Sequence, residues 1–397
     1  MAAIRRKMLQ VLERWNESKA KKAFLLVGAR QTGKTYIVRE FAREHFAHLA
    51  EVNFLEDEKA IRVLSEAQDA EDFVSRLSLI CGMPVIPGET LVFLDEIQEA
   101  PDLITAVKFL VEDGRHRVVI SGSMLGTEMK GFRSFPVGYV QIERMFPLDF
   151  EEFCWALGDD VTAPAIREAF ESRQPLPDAA HRRVMRDFRT YMAVGGMPQA
   201  VERLVAGGDF AAIDHAKRAI LDLYEEDLGK HDDEMSDRAA EVFKSIPSQL
   251  SHHNSRFRFA TVDAAARARN LSGSIAFLGE SMIANVCYNV STPEVALGLN
   301  EDRGNFKVYL GDTGLLVSQV MRGDPQAGDD LYRALVTGRL GINEGMVVEN
   351  AVAQTLAANG HGLYFHEYSY RPAEAKRESP YEVDFLIVRG KRLCPIE

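Results

Sequence analysis

Ala23-Phe-Leu-Leu-Val-Gly28-Ala-Arg-Gln-Thr-Gly33-Lys34-Thr35-Tyr36 is the stretch from which the rest of the chain is read outward. An unbroken apolar run closed by a glycine reads as a buried strand. The residues after it fit G-x-x-x-x-G-K-[ST]. From Thr35 to Phe46, Ile37, Val38, Phe41, Ala42 and Phe46 recur at helical spacing. Strand, glycine-bounded loop and helix in this order predict a phosphate cradle. In such a loop the backbone N–H groups turn inward around phosphate oxygens, and the helix N-terminus adds partial positive charge. The expected lining is Gly28, Ala29, Arg30, Gln31, Thr32, Gly33, Lys34, Thr35 and Tyr36. Lys34 is expected to reach the β- and γ-phosphates, and Thr35 to place its hydroxyl on Mg²⁺. ATP and Mg²⁺ are the expected ligands.

A second element follows downstream. Leu91-Val-Phe-Leu-Asp95-Glu96 is an apolar strand ending in adjacent carboxylates, at the strand end where ligands of parallel sheets bind. Asp95 is expected to help hold Mg²⁺, and Glu96 to orient and activate an attacking water. A third strand, Arg117-Val-Val-Ile-Ser121, runs into Gly122-Ser123. Ser121 and Ser123 are both candidates for a hydroxyl at the γ-phosphate, and turn hydrogen bonding explains either equally well. Candidate strands are Ala23–Gly28, Leu49–Leu55, Thr90–Leu94, Arg117–Ser121 and Tyr139–Glu143, with helical patterns between them. The expectation is an α/β fold with a parallel sheet covered by helices. After Pro147 the pattern turns helical from Asp149 to about Lys230, broken near Ser172–Asp178 and at Val194–Pro198. Strand-like runs return at Met282–Val290 and Asn305–Leu310, and a helix followed by strands closes the chain.

The 397 residues are enough for two to four compact units. With 46% hydrophobic and 27% charged residues the chain can build cores. Its formal net charge of -12 gives no bulk attraction to nucleic acid, although a local basic patch could act alone. No run is long and apolar enough to span a bilayer, and the N-terminus reads as a charged amphipathic helix rather than a secretory signal. Cys81, Cys154, Cys287 and Cys394 lie far apart with no C-x-x-C pair, so a reducing cytoplasm is expected.

The segments GARQTGKT (28–35), VFLDEIQ (92–98), ISGSMLG (120–126), SFPVGYV (134–140) and FPLDFEEF (146–153) occur in this order. YMAVGGMPQAV (191–201) and FKVYLGDTGLL (306–316) follow. Together they resemble the prokaryotic AAA+-type P-loop ATPases whose second half is a domain of unknown function. The resemblance implies an ATPase core over 1–148 with its N-terminal helix and a helical lid over 149–235. It further implies a winged-helix-like domain over 236–330 and a PD-(D/E)xK nuclease-like module over 338–397. Relatives often carry Gly-Arg where this chain has Gly138-Tyr139. A neutral phenol cannot stabilise transition-state charge as an arginine does, which leaves Arg133 or Arg144 as substitutes.

The best match for a recognition helix, Leu271–Glu280, holds no lysine or arginine, whereas such helices use basic residues on phosphates. Arg256, Arg258, Arg267 and Arg269 lie just upstream. Near the C-terminus, helix Glu344–Ala358 carries Val348, Val352 and Leu356 on one stripe, with Glu349 inside it. If Gly390-Lys391 is the turn between the last two strands, pairing sets Asp384 opposite Glu397. Glu349, Asp384 and Glu397 then match the acids of the nuclease-like motif, suited to metal-dependent phosphodiester chemistry. The motif's lysine, two residues past the last acid, falls beyond Glu397, so a truncated module is expected. Trp15 and Trp155 read as packing residues, His252-His253 as solvated and Asp227–Asp237 as a linker. Gly195-Gly196-Met197-Pro198 resembles a family loop without an evident chemical role. The expected function is Mg²⁺-dependent ATP hydrolysis driving a conformational change, with DNA, a protein partner and ring assembly left open. A slow nucleotide-dependent switch and an ATP-gated DNA nuclease are the alternatives.

Overall fold

The computed structural model describes residues 4–18, 20–123, 138–229, 234–251, 257–258, 268–323, 327–339, 344–370 and 379–397. The chain forms two compact units, Met1–Phe146 and Pro147–Glu397. In the first, β1 (Ala23–Val27), β2 (His48–Asn53), β3 (Thr90–Asp95), β4 (Arg117–Gly122) and β5 (Val140–Arg144) form one sheet. Its order is β2-β3-β4-β1-β5, and every neighbouring pair is parallel. Strand β4 lies between β1 and β3, so Gly28, Asp95 and Ser121–Ser123 all come to the C-terminal edge of the sheet.

Alternation along each strand supplies two cores. Leu91 and Phe93 of β3 face one layer, where Phe24 of β1, Trp15 of α1 (Lys7–Glu17) and Phe41 of α2 (Lys34–His45) pack. Val92 and Leu94 face the other. There they meet Leu64 of α3 (Glu58–Ser65), Phe73 of α4 (Ala70–Cys81) and Val107 of α5 (Leu103–Asp113). Every residue of β3 is buried, as its uninterrupted apolar run requires. Trp15 is fully buried, its indole N–H donates to the Lys22 carbonyl at 2.9 Å, and the Arg117 guanidinium lies over its ring.

The second unit begins with helices Phe150–Ala156, Thr162–Ser172, Asp178–Val194, Pro198–Val205 and Phe210–Leu228. Asp149 starts the first with a capping box: it accepts from the Glu152 N–H, and Glu152 reaches back to the Asp149 N–H. Helices Glu234–Leu250 and Ala268–Glu280 pack on each other and on the hairpin β6 (Ala284–Val290)–β7 (Glu301–Leu310). That hairpin shares a sheet with β8 (Tyr364–Tyr370) and β9 (Ser379–Val383), in the order β7-β6-β8-β9. A boundary at 330–338 therefore runs through one sheet. The reason is non-local: β6 pairs in parallel with β8, more than sixty residues on.

The loop Gly195-Gly196 acquires a physical account. Asp312 caps helix Thr313–Val320 by accepting from the Leu315 N–H at 3.0 Å, and its other oxygen accepts from the Gly196 N–H at 2.6 Å. Gly195 has φ +83°, and a Cβ there would meet Asp312 Oδ1 and stand 2.8 Å from the Gly314 Cα. The two family-like segments at 191–201 and 306–316 therefore interlock, backbone against backbone. Beneath them the buried Lys217 donates to the carbonyls of Ala193 (2.7 Å) and Gly314 (3.1 Å) and to the Tyr332 hydroxyl. Burial pushes its ammonium down to about 7, against the pull of Asp214 and Asp312.

Helix Glu344–Ala358 presents a different face from the one its apolar spacing suggests. Its buried residues are Met346, Val347, Asn350, Ala351, Ala353 and Gln354, whereas Val348 is exposed. Asn350 brackets the Leu310 backbone, accepting from its N–H at 2.8 Å and donating to its carbonyl at 3.2 Å. Gln354 accepts from the Thr313 N–H at 2.8 Å. Satisfying free backbone groups at the end of β7 outweighs burying one more valine.

Replacing Gly195 by alanine should destabilise this unit by about 2–4 kcal/mol, because overpacking adds to a positive-φ penalty. Urea unfolding followed by a probe in residues 147–397 measures the loss; a midpoint equal to that of the wild type contradicts the interlock.

Candidate functional site

At the tip of β1 the loop bends back on itself. Gly33 takes φ +93° and Gln31 φ +65°, conformations that turn successive N–H groups to one side. A Cβ on Gly28 would collide with the Met145 carbonyl oxygen, so the first glycine is required by the approach of the segment leaving β5. Thr32 closes the loop by donating to the Ala29 carbonyl at 2.9 Å. Lys34 lies inside the loop, only 5% exposed, and donates to the carbonyls of Gly28 and Ala29 at 3.0 Å each. Burial pushes its pKa down, while the charges of Glu96 and Asp95 pull it back up.

Thr35, the second residue of α2, donates its hydroxyl to Asp95 Oδ2 at 2.8 Å. Asp95 is fully buried. Its Oδ1 accepts from the Ser121 hydroxyl and from the Glu96 N–H at 3.1 Å. Burial raises its pKa, and the bonds from Ser121 and Thr35 oppose that rise. Two hard oxygen donors, Thr35 Oγ1 and Asp95 Oδ2, are thus adjacent beside the cradle, a donor pair that fits Mg²⁺ held with a nucleotide. Glu96 stands in the left-handed region at φ 54°, ψ 50°, a strain of order 1–3 kcal/mol for a non-glycine residue. Its carboxylate accepts from Gln98 Nε2 at 2.6 Å and from the Ser123 hydroxyl at 3.3 Å. Arg30 of the loop donates to that same hydroxyl at 3.4 Å. Both serines therefore stand at the site with different partners: Ser121 on Asp95, Ser123 on Glu96.

The register of β5 separates the arginine candidates. Ala23 pairs with Val140 and Val27 with Arg144, so Tyr139 precedes the N-terminal end of β5, across the sheet from the cradle. Its hydroxyl donates to Glu112 at 2.9 Å. Position 139 does not reach the phosphate loop of its own chain, whatever residue stands there. Arg144 is exposed at the cradle end of the sheet, and Arg133 lies outside the described residues. Tyr36 is exposed on α2.

Two residues of the site escaped sequence reasoning. Arg6, 6% exposed, donates to the Thr32 carbonyl at 2.9 Å and the Phe146 carbonyl at 2.6 Å. It clamps the loop to the segment after β5 across separations of 26 and 140 residues, which no local pattern reveals. Gln98 does have a local signal, since it follows Asp95-Glu96 within the same turn.

In the second unit the nuclease-like acids assemble differently from expectation. Arg389 pairs with Arg392 around Gly390, which takes φ +62°, so the turn is Gly390-Lys391. The expected single strand breaks at Asp384: β9 pairs with β8, while β10 (Phe385–Arg389) pairs with β11 (Arg392–Ile396). The acid that joins Glu349 and Asp384 is Glu382 rather than Glu397, the three offering ligand atoms within 4.8 Å of one another. Lys307 of β7, fully buried, donates to Glu349 at 3.0 Å and to Glu382 at 2.5 Å. A lysine thus reaches these acids from a strand outside the motif's spacing. Of the upstream arginines, Arg258 has its backbone bonded on both sides by Gln249. Arg256 and Arg267 lie outside the described residues, as do the Arg269 side chain and His252-His253. Leu271, Ile275, Phe277 and Leu278 of the candidate recognition helix are buried, so its apolar side packs inward.

Residues 20–154 match a family model described as an AAA domain. The match covers most of the N-terminal unit, whose five-stranded parallel sheet is that of a P-loop fold. Residues 185–326 match a domain of unknown function, DUF8612. A search of curated proteins gives no match. Among solved structures the chain is similar to the Walker-type ATPase PABY2304 of Pyrococcus abyssi, at 14% identity and TM-score 0.46, over 80% of this chain and 96% of that one. It is also similar to the Orc1 protein of Aeropyrum pernix, solved with DNA, at 16% identity and TM-score 0.32, over 80% and 91%. A third is Cdc6p of Pyrobaculum aerophilum, at 12% identity and TM-score 0.29, over 85% and 97%. Among the described residues no helix is long and apolar enough to cross a membrane.

Removing Arg6 leaves the carbonyls of Thr32 and Phe146 without a charged donor. Arg6→Ala should cost about 2–3 kcal/mol and weaken Mg-ATP binding. Arg6→Lys, a point charge unable to bridge both oxygens, should not restore it. Calorimetric titration alongside thermal unfolding reads both effects, and wild-type values in Arg6→Ala refute the clamp.

Proposed function

We propose that the chain binds ATP with Mg²⁺ in the Gly28–Thr35 cradle and hydrolyses it to drive a conformational change. The observation that carries this reading is the 2.8 Å bond between Thr35 Oγ1 and Asp95 Oδ2 beside a lysine buried inside the loop. Lys34, now spending its donors on two loop carbonyls, is the cation to exchange them for β- and γ-phosphate oxygens. Thr35 and Asp95 are the residues that would hold a magnesium ion, which would supply neutralisation of phosphate charge. Glu96 orients the attacking water and accepts its proton, a role worth about 10²–10⁴-fold. Ser123 offers a hydroxyl near the γ-phosphate, Ser121 keeps Asp95 in place, and Arg144 at the end of β5 is a candidate for positive charge, with Arg133 the alternative.

Lys34→Ala should abolish Mg-ATP binding measured by calorimetry. Glu96→Gln should bind Mg-ATP with near wild-type affinity yet release phosphate at least about a hundredfold more slowly. Wild-type turnover in both variants rejects the assignment.

A second reading, metal-dependent cleavage of DNA by the C-terminal residues, is favoured by the meeting of Glu349, Glu382 and Asp384 around Lys307. Glu349, Glu382 and Asp384 would hold the cation, and Lys307 would face the scissile phosphate. Incubating the full chain with plasmid DNA and Mg²⁺ or Mn²⁺ should yield nicked product that Asp384→Ala fails to make. Uncut plasmid with the wild type, with and without ATP, ends this reading and leaves the first untouched.

A further inference from the structure

Beside the cradle stands a side chain that neither the loop nor the paired acids account for. Gln98, 9% exposed, lies in the short turn Ile97–Glu99 that follows Glu96. A buried amide has to use both its donor and its acceptor. Its nitrogen donates to Glu96 Oε2 at 2.6 Å and to the Ser123 hydroxyl at 3.3 Å, and its oxygen accepts from the Ser123 N–H at 3.2 Å. The Ser123 hydroxyl donates onward to Glu96 Oε2 at 3.3 Å and accepts from Arg30 at 3.4 Å. A continuous chain of polar contacts therefore runs from Arg30 in the phosphate loop, past the end of β4, to the carboxylate next to Asp95. The positive φ of Glu96 is a conformation that glutamate does not favour on its own. The amide two residues on is the group that grips its side chain.

We propose that Gln98 is a positioning residue for hydrolysis, aiming the Glu96 carboxylate and tying its direction to Ser123 and, through it, to the loop that receives the phosphates. This inference rests on the ATPase reading above and adds a regulatory link within the same site. Occupancy of the loop acts on Glu96 through Arg30, Ser123 and Gln98 in turn. The amide meets both demands at once, a donor toward a carboxylate and an acceptor toward a backbone N–H. Glutamate at 98 keeps the size and the acceptor, but it loses the donor and sets a like charge against Glu96. Alanine removes the bridge altogether.

The test compares wild type, Gln98→Ala and Gln98→Glu as full chains, measuring phosphate release at saturating Mg-ATP and nucleotide affinity by calorimetry. The expected result is a kcat about tenfold lower in Gln98→Ala and lower still in Gln98→Glu. Affinity should stay within about threefold of wild type, so that the loss falls on kcat rather than on binding. Unchanged kcat in both variants overturns the proposal while leaving hydrolysis standing. Weaker binding and a lower thermal midpoint, with wild-type kcat at saturation, show a merely structural amide and overturn it as well. A wild type that binds Mg-ATP without releasing phosphate removes the hydrolysis reading, and this inference falls with it.

Discussion

A carboxylate held out of water at the end of β3 is the constraint on which the nucleotide site depends. Burying an unpaired charge costs several kcal/mol, so the fold must deliver partners to it. Asp95 receives a hydroxyl from α2, a second from β4, and the N–H of the next residue. Those partners come from different elements of the sheet layer, and all of them arrive only if β4 runs between β1 and β3. The strand order and the chemistry of the site are therefore one requirement seen twice. Lys34, buried close by, is the counter-charge, and both ions lie where low dielectric strengthens their mutual attraction.

The same logic governs the edges of that site. The loop offers carbonyl oxygens as well as N–H groups, and each carbonyl turned away from solvent needs a donor. Lys34 serves Gly28 and Ala29 from within, and Arg6 serves Thr32 from without while also holding the Phe146 carbonyl. The carbonyls of Gly28, Ala29 and Thr32 are thus each tied to a side chain that is itself buried. In the second unit Asp312, Asn350, Gln354 and Lys217 do comparable service for backbone groups around Gly195, Gly196, Leu310 and Gly314. Polar residues on buried helix faces are there because open backbone must be satisfied, which is why helix Glu344–Ala358 turns Asn350 inward and Val348 outward.

How much of this was legible can be judged residue by residue. The cradle from Gly28 to Thr35 is a local object: strand, glycine spacing and helix lie within a dozen residues, and the pattern carries the geometry. Asp95 and Glu96 were legible because an apolar run can end in acids only where it leaves the sheet. Ser121 and Ser123 were legible as a pair but not apart, because their division of labour rests on the strand beside them. At the other end of the chain the Gly390-Lys391 turn and the register of β10 against β11 follow from counting. The identity of the third acid does not, because the chain changes sheet partner at Asp384 and brings Glu382 inward instead.

Sequence by itself determined the local chemistry: which loop can grip phosphates, which strand ends in carboxylates, which helices have an apolar side. Those features repeat every two or three to four residues, and side-chain geometry imposes such periods directly. Tertiary structure alone decided what Arg6, Lys307 and Tyr139 do. Arg6 and Lys307 meet their partners across separations from 26 to 140 residues, and Tyr139 is placed by the direction in which β5 joins the sheet. Contacts of that kind follow from strand order and burial, which are collective properties of the folded chain and leave no periodic trace in it.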